Sequence, residues 1–211
     1  MKKLLLVTGV VWLAVVWGVI LPLSDRQSFS VHMVVHMSVV AGIAPLVAAY
    51  ISGSRYDLTM RLPWFTPVFA SILEMVVVWG WHLPVSRRLA EVHVIVTILE
   101  QMSFIGVGLL LWLTCLGGAL DGHAGRRLAG VFGLLFTSMH MTLLGALLAL
   151  SPRSLYGDGQ VTCFGVSISP IVDQQVGGVI MLLVGAVAYL LGGIVLLASV
   201  LEPRQVSGER L

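Results

Sequence analysis

The stretch Ser30–Tyr50, SVHMVVHMSVVAGIAPLVAAY, holds no Asp, Glu, Lys or Arg. At about 1.5 Å per residue, a helix of that length spans the roughly 30 Å hydrocarbon core of a bilayer. Inside it stand His32 and His36, each followed by a methionine, Met33 and Met37. Ring nitrogens within a membrane are costly and are rarely kept without a function. At i and i+4 the two imidazoles share one helix face about 6 Å apart along the axis. That spacing lets two histidines grip one metal ion, the helical logic of the zinc-protease pair. The neighbouring thioethers point to a soft ion such as copper(I).

The rest of the chain agrees with the membrane reading. Of 211 residues, 58% are hydrophobic and 10% charged, against roughly 25% charged in soluble domains. Mean hydropathy is +1.00. A net charge of +2 gives no footprint for nucleic acid. No nucleophile stands beside a base at a known spacing, and there is no phosphate loop or nucleotide fingerprint, so the chain does not read as an enzyme.

Six segments are long and apolar enough to cross: about 4–23, 29–51, 63–81, 92–115, 128–150 and 173–201. The expected fold is therefore all-α, a single polytopic domain over residues 1–211 forming a bundle of six transmembrane helices. The basic start MKKLLLV continues apolar to about Leu23 with no small-residue cleavage site, so it reads as a retained first span. Trp64 and Trp81 flank the third span like interfacial anchors.

With the N-terminus inside, the inner segments hold Lys2, Lys3, Arg55, Arg61, Arg126, Arg127, Arg204 and Arg210. The outer loops hold only Arg26, Arg87, Arg88 and Arg153. This bias favours both termini in the cytoplasm. Arg87, Arg88 and Glu91 read as solvated loop charges. Gly106, Gly108, Gly130, Gly133, Gly177 and Gly178 read as close helix approaches. The longest outer loop, about 151–172, carries Pro152, Gly157, Gly159 and Pro170 and is turn-rich. Cys115 and Cys163 fall on opposite sides, too far apart for a disulfide. Cys163 reads as a free loop cysteine or a copper-handling thiol.

On this topology the unusual side chains gather in the outer half. His32 and His36 lie there on the second span. Glu74 lies roughly 10 Å below the outer end of the third, and His82 stands at its rim. On the fourth span His93 and Glu100 are seven residues apart, nearly two turns, and share a face. The fifth carries His140 between Met139 and Met141. The sixth opens with Asp173, Gln174 and Gln175 and places Met181 deeper. Candidate metal ligands are thus His32, His36, His82, His93 and His140, with Met33, Met37, Met139 and Met141 as soft ligands. Glu74 and Glu100 read as outer partners or proton carriers, and Asp173 and Gln174 as a polar lip. Each has a plainer reading. A histidine can serve as an interfacial anchor or an interhelical hydrogen bond, a methionine as packing, and Asp173 as a cap of the sixth helix.

Several stretches together resemble the CtaG-like cytochrome c oxidase assembly family. They are HMVVHM at 32–37 with Pro45 downstream, WHLP at 81–84, EQMSFIGVGLLLW at 100–112, MTLLGALLALSPRSLYG at 141–157 and SISPIVDQQVGGVIM at 167–181. The last is the most specific. The resemblance covers about residues 29–185. It implies a bacterial inner-membrane protein that handles copper for an oxidase, with His32, His36, His82, Asp173 and Gln174 on motif positions. Where the family's fourth span often carries a further histidine, this chain has Gln101 and Thr97, with His93 one turn earlier. His93 and His140 are candidates on the residue argument alone.

The expected function is copper binding in the outer half of the membrane. Copper would be accepted from the periplasmic side, where a chaperone could supply it, and delivered to the oxidase catalytic subunit. A different class is a b-type haem protein, with His36 and either His140 or His93 as axial ligands. Against it, His32 and His36 share one helix face and cannot oppose each other across one iron. A copper transporter would need a polar path to the cytoplasm, and the inner halves read as apolar.

Overall fold

A computed structural model describes residues 2–60, 62, 64–117, 124–157, 160–163 and 166–201. Seven helices account for most of the described residues. They are α1 (Lys2–Leu23), α2 (Phe29–Ile51), α3 (Pro67–Trp81), α4 (Pro84–Val92), α5 (Val94–Gly117), α6 (Ala124–Leu150) and α7 (Pro170–Leu201). A short antiparallel hairpin, β1 (Val161–Cys163) and β2 (Val166–Ile168), lies in the α6–α7 loop. Five helices among the described residues are long and apolar enough to cross a membrane, or six if α3 and α4 count as one bent span. The all-α polytopic fold stands.

The third span departs from expectation. Its expected start, Pro63, lies outside the described residues, and the helix opens at Pro67 behind the cap Thr66, whose hydroxyl accepts from Phe69 N at 3.1 Å. Fifteen residues reach only about 22 Å. The chain then bends by 70° at His82–Leu83 into α4. Leu83 and Pro84 set the bend, because Pro84 restricts Leu83 to the extended conformation it shows. The α4 helix is amphipathic: Val85, Leu89 and Val92 are exposed while Arg87 and Ala90 are buried.

Both α1 and α2 contain a π-helical turn, Val16–Ile20 and Ser38–Ile43. Each ends just before or at the turn holding a proline, Pro22 or Pro45. Proline lacks the donor for the i−4 carbonyl and clashes with it, so the helix widens. In α2 the distorted turn offers Val40 O to Trp112 Nε1 at 3.0 Å. Trp81 is likewise tied inward, donating to Ser103 Oγ at 2.8 Å, whereas Trp64 is exposed.

The tightest seam joins α6 and α7. A Cβ on Gly178 would meet Ala149 N at 2.6 Å and Gly145 O at 2.7 Å. Gly108, Gly130, Gly133 and Gly177 also stand at close approaches, but Gly106 faces open space. The core is built from α2 with residues of α5, α6 and α7, including Met33, Val39, Phe104, Leu111, Leu134, Met141 and Tyr189. The expected basic residues Arg61, Arg204 and Arg210, and loop residue Gly159, lie outside the described residues.

Candidate functional site

The N-terminal ends of α2, α5 and α7 and the C-terminal ends of α3 and α6 meet at one end of the bundle. There His32, His36 and His82 come together. Ring centroids are 6.2 Å apart for His32–His36, 5.8 Å for His32–His82 and 5.4 Å for His36–His82. All three are buried. The i, i+4 spacing sets the first pair nearly parallel, 7° between ring planes. The bend at the end of α3 delivers the third ring. Phe104 of α5 packs 4.0 Å from the His36 ring, and Phe29 lies edge-on to His82 at 6.1 Å.

Four ring nitrogens of this trio have no hydrogen-bond partner among the described residues: His32 Nε2, His36 Nδ1, His36 Nε2 and His82 Nε2. Buried polar atoms are nearly always partnered. The tautomers of two rings follow from their neighbours. His82 Nδ1 lies 2.6 Å from Val78 O. A carbonyl only accepts, so Nδ1 carries the proton and the Nε2 lone pair is free. His32 Nδ1 lies 3.3 Å from Arg87 Nη1. A guanidinium only donates, so Nδ1 accepts and the proton is on Nε2.

Arg87 is therefore no solvated loop charge. It is buried on the inner face of α4, and its Nη2 donates to Arg26 O at 2.7 Å. Its Nε lies 3.3 Å from Glu91 Oε1. Glu100 Oε2 is 3.8 Å from His32 Nδ1. A cavity of about 30 Å³ beside them is lined by Asp25, Arg26, His32, Arg87, Thr97 and Glu100, among others.

The Asp–Gln pair works as a clasp over this end. Asp173 accepts from Phe29 N and from Ser30 N at 3.1 Å, from Ser28 Oγ at 3.1 Å and from Ser30 Oγ. It thus caps α2 from across the interface and not its own helix, where it lies inside the first turn. Capping satisfies the orphan donors of the helix that carries His32 and His36. Gln174 Oε1 accepts from Leu155 N at 2.7 Å and its Nε2 donates to Leu148 O at 3.1 Å. This pins the loop after α6, whose Tyr156 stacks on Phe29 at 4.3 Å and donates to His82 O at 2.6 Å. Burial pushes the Tyr156 hydroxyl up from its ordinary value, which keeps it a donor. Cys163 is a free thiol 3.0 Å from Ser30 Oγ.

Other candidates lie elsewhere. His93 is exposed and stands at the joint after α4 in an extended conformation, so α5 begins at Val94. That break removes the shared face expected for His93 and Glu100, and Glu100 alone turns inward. His140 is buried against Phe136 at 5.7 Å. Met139 is 70% exposed on the apolar outer surface of α6. Met33, Met37 and Met141 are buried, packed beside Gly177 and Gly185 of α7. Glu74 accepts from Tyr189 OH at 2.8 Å and from Thr137 Oγ1 at 3.1 Å, tying α3 to α6 and α7.

Arg87, Phe104 and Tyr156 escaped the sequence reading. Arg87 and Glu91 at i, i+4, with Ala90 between apolar Leu89 and Val92, were the available sign of an amphipathic turn with an inward polar face. Among the described residues, no group of three or more His, Cys, Asp or Glu side chains is arranged so that it could hold a metal ion as it stands.

The chain matches the family model described as cytochrome c oxidase caa3 assembly factor, Caa3_CtaG, over residues 1–202. No curated protein and no solved structure matches it significantly.

Proposed function

This chain belongs to the cytochrome c oxidase caa3 assembly factor family; from that membership we propose that His32, His36 and His82 hold copper for delivery to the oxidase catalytic subunit. The observation that carries the reading is the buried trio with four partnerless ring nitrogens. Imidazole nitrogens about 2.0 Å from one ion set ring centroids about 5–5.5 Å apart. His36–His82 has that spacing and the pairs with His32 are wider, so His36 and His82 stand nearest to sharing an ion, and His32 joins them only after moving inward and freeing its Nε2 lone pair. When bound, copper supplies an exchangeable ion and no bond-making chemistry; the role is assembly and not catalysis. His82 arrives with its Nε2 lone pair free. Phe104 and Phe29 exclude water and favour the lower-charged copper(I), and a site with few ligands releases its ion readily to another set of ligands.

Charge bias in the loops supports an inner-membrane orientation with this end at the periplasmic face. A periplasmic chaperone could then supply copper there. Below the trio, Val39, Val40 and Leu111 are buried and apolar, and the polar side chains Glu74, Thr137 and Tyr189 are hydrogen-bonded to one another, which favours a donor over a transporter. His93, one of the two candidate partners of His36 for haem, is exposed at the joint after α4, which favours copper over haem.

The test is made in cells. A strain carrying His36→Ala yields oxidase with copper content reduced about tenfold or more against its haem content. Oxidase with full copper in that strain contradicts the proposal.

A further inference from the structure

His32 Nδ1 has two neighbours of opposite character. Arg87 Nη1, a donor with no accepting capacity, is 3.3 Å away. Glu100 Oε2, an acceptor, is 3.8 Å away. While Arg87 holds Nδ1, the ring proton stays on Nε2 and that nitrogen cannot ligate. If Nδ1 instead donates to Glu100, the Nε2 lone pair is released and the ring is held by a carboxylate, the arrangement that orients metal-ligating histidines. The switch moves one proton from Nε2 to Nδ1 and leaves the imidazole neutral. The adjacent cavity has room for a water to carry it.

We propose that Arg87 is a latch: in the empty protein it holds His32 in the non-ligating tautomer, and loading the site transfers His32 Nδ1 from Arg87 to Glu100. Arg87 is a positioning residue acting through His32. Its guanidinium also sets a fixed positive charge beside an incoming cation, so occupancy expels it. The side chain is rooted in α4, the amphipathic helix at the rim, and it joins that helix to Arg26 O in the α1–α2 loop. Release of Arg87 therefore removes this direct tie between the two segments, and this end of the protein differs between its loaded and empty states. The latch rests on the copper reading above, but its first readout does not need metal.

The experiment uses the full-length protein in nanodiscs, 15N-labelled at histidine, as wild type, Arg87→Met and Arg87→Lys. Methionine keeps much of the apolar stem without a donor; lysine keeps a donor. The His32 signals are identified by their loss in His32→Asn. In the metal-free wild type, His32 carries its proton on Nε2; in Arg87→Met it carries it on Nδ1; Arg87→Lys retains the wild-type state. Copper(I) titration against a chromogenic chelator then shows Arg87→Met binding about tenfold tighter than wild type. A wild-type His32 protonated on Nδ1 overturns the latch. So does an Arg87→Met protein with an unchanged tautomer and affinity while wild type binds copper and His36→Ala does not. If wild type, Arg87→Met and His36→Ala all fail to bind copper, the copper reading fails and the latch falls with it.

Discussion

His36 is the most deeply buried of the three clustered imidazoles, and both of its ring nitrogens lack partners among the described residues. Asp173 shows the opposite economy, with its two oxygens receiving two backbone amides and two hydroxyls. A carboxylate that satisfies the start of another helix orders the residues that follow, here Val31 to His36. Asp173→Ala leaves those donors buried and unsatisfied at about 3 kcal/mol, and thermal unfolding in detergent will show a clearly lowered Tm. An unchanged Tm contradicts the capping role. Spacing made His32 and His36 legible as a pair, because i, i+4 geometry is local. Arg87 was not legible: an arginine in a short polar segment reads as solvated, and only the turn of α4 onto the bundle buries it.

The α6–α7 seam holds the clasp in place among the elements. Gly145 and Gly178 let the two backbones touch, and the same register sets Asp173 over α2 and Gln174 over the loop after α6. Gly178→Val forces the helices apart and costs about 3 kcal/mol. Gly106→Ala, which meets nothing within 4 Å, stays within about 0.5 kcal/mol of wild type. Equal unfolding midpoints for the two variants would contradict this account of the seam. The long spans were legible from hydropathy because each is an unbroken apolar run. The bend after α3 was not. Hydropathy reads length and polarity, and the 70° turn comes from the extended Leu83 before Pro84. The break at His93 was hidden for the same reason, and with it the loss of the His93–Glu100 face.

Across the whole molecule, polar groups collect where the ends of five helices meet, while the outer surface carries exposed apolar residues from α1 to α7. That division is what a membrane protein with a site at one face requires. Membership of an oxidase assembly family gives such a site a destination. Glu74, Thr137 and Tyr189 bind the bundle together deeper down and take no part in the trio. The candidate site was legible as a region, since topology alone gathered the histidines at one end. Its membership needed the fold: Met139 turned outward to the apolar surface and His82 turned in. The central claim is that the trio holds copper. Metal analysis and an absorption spectrum of the purified protein, wild type beside His36→Ala, test it most directly. The account predicts copper in the wild type, its loss in His36→Ala and no Soret band in either. Equal copper in both, copper in neither, or a Soret band lost on mutation would contradict it.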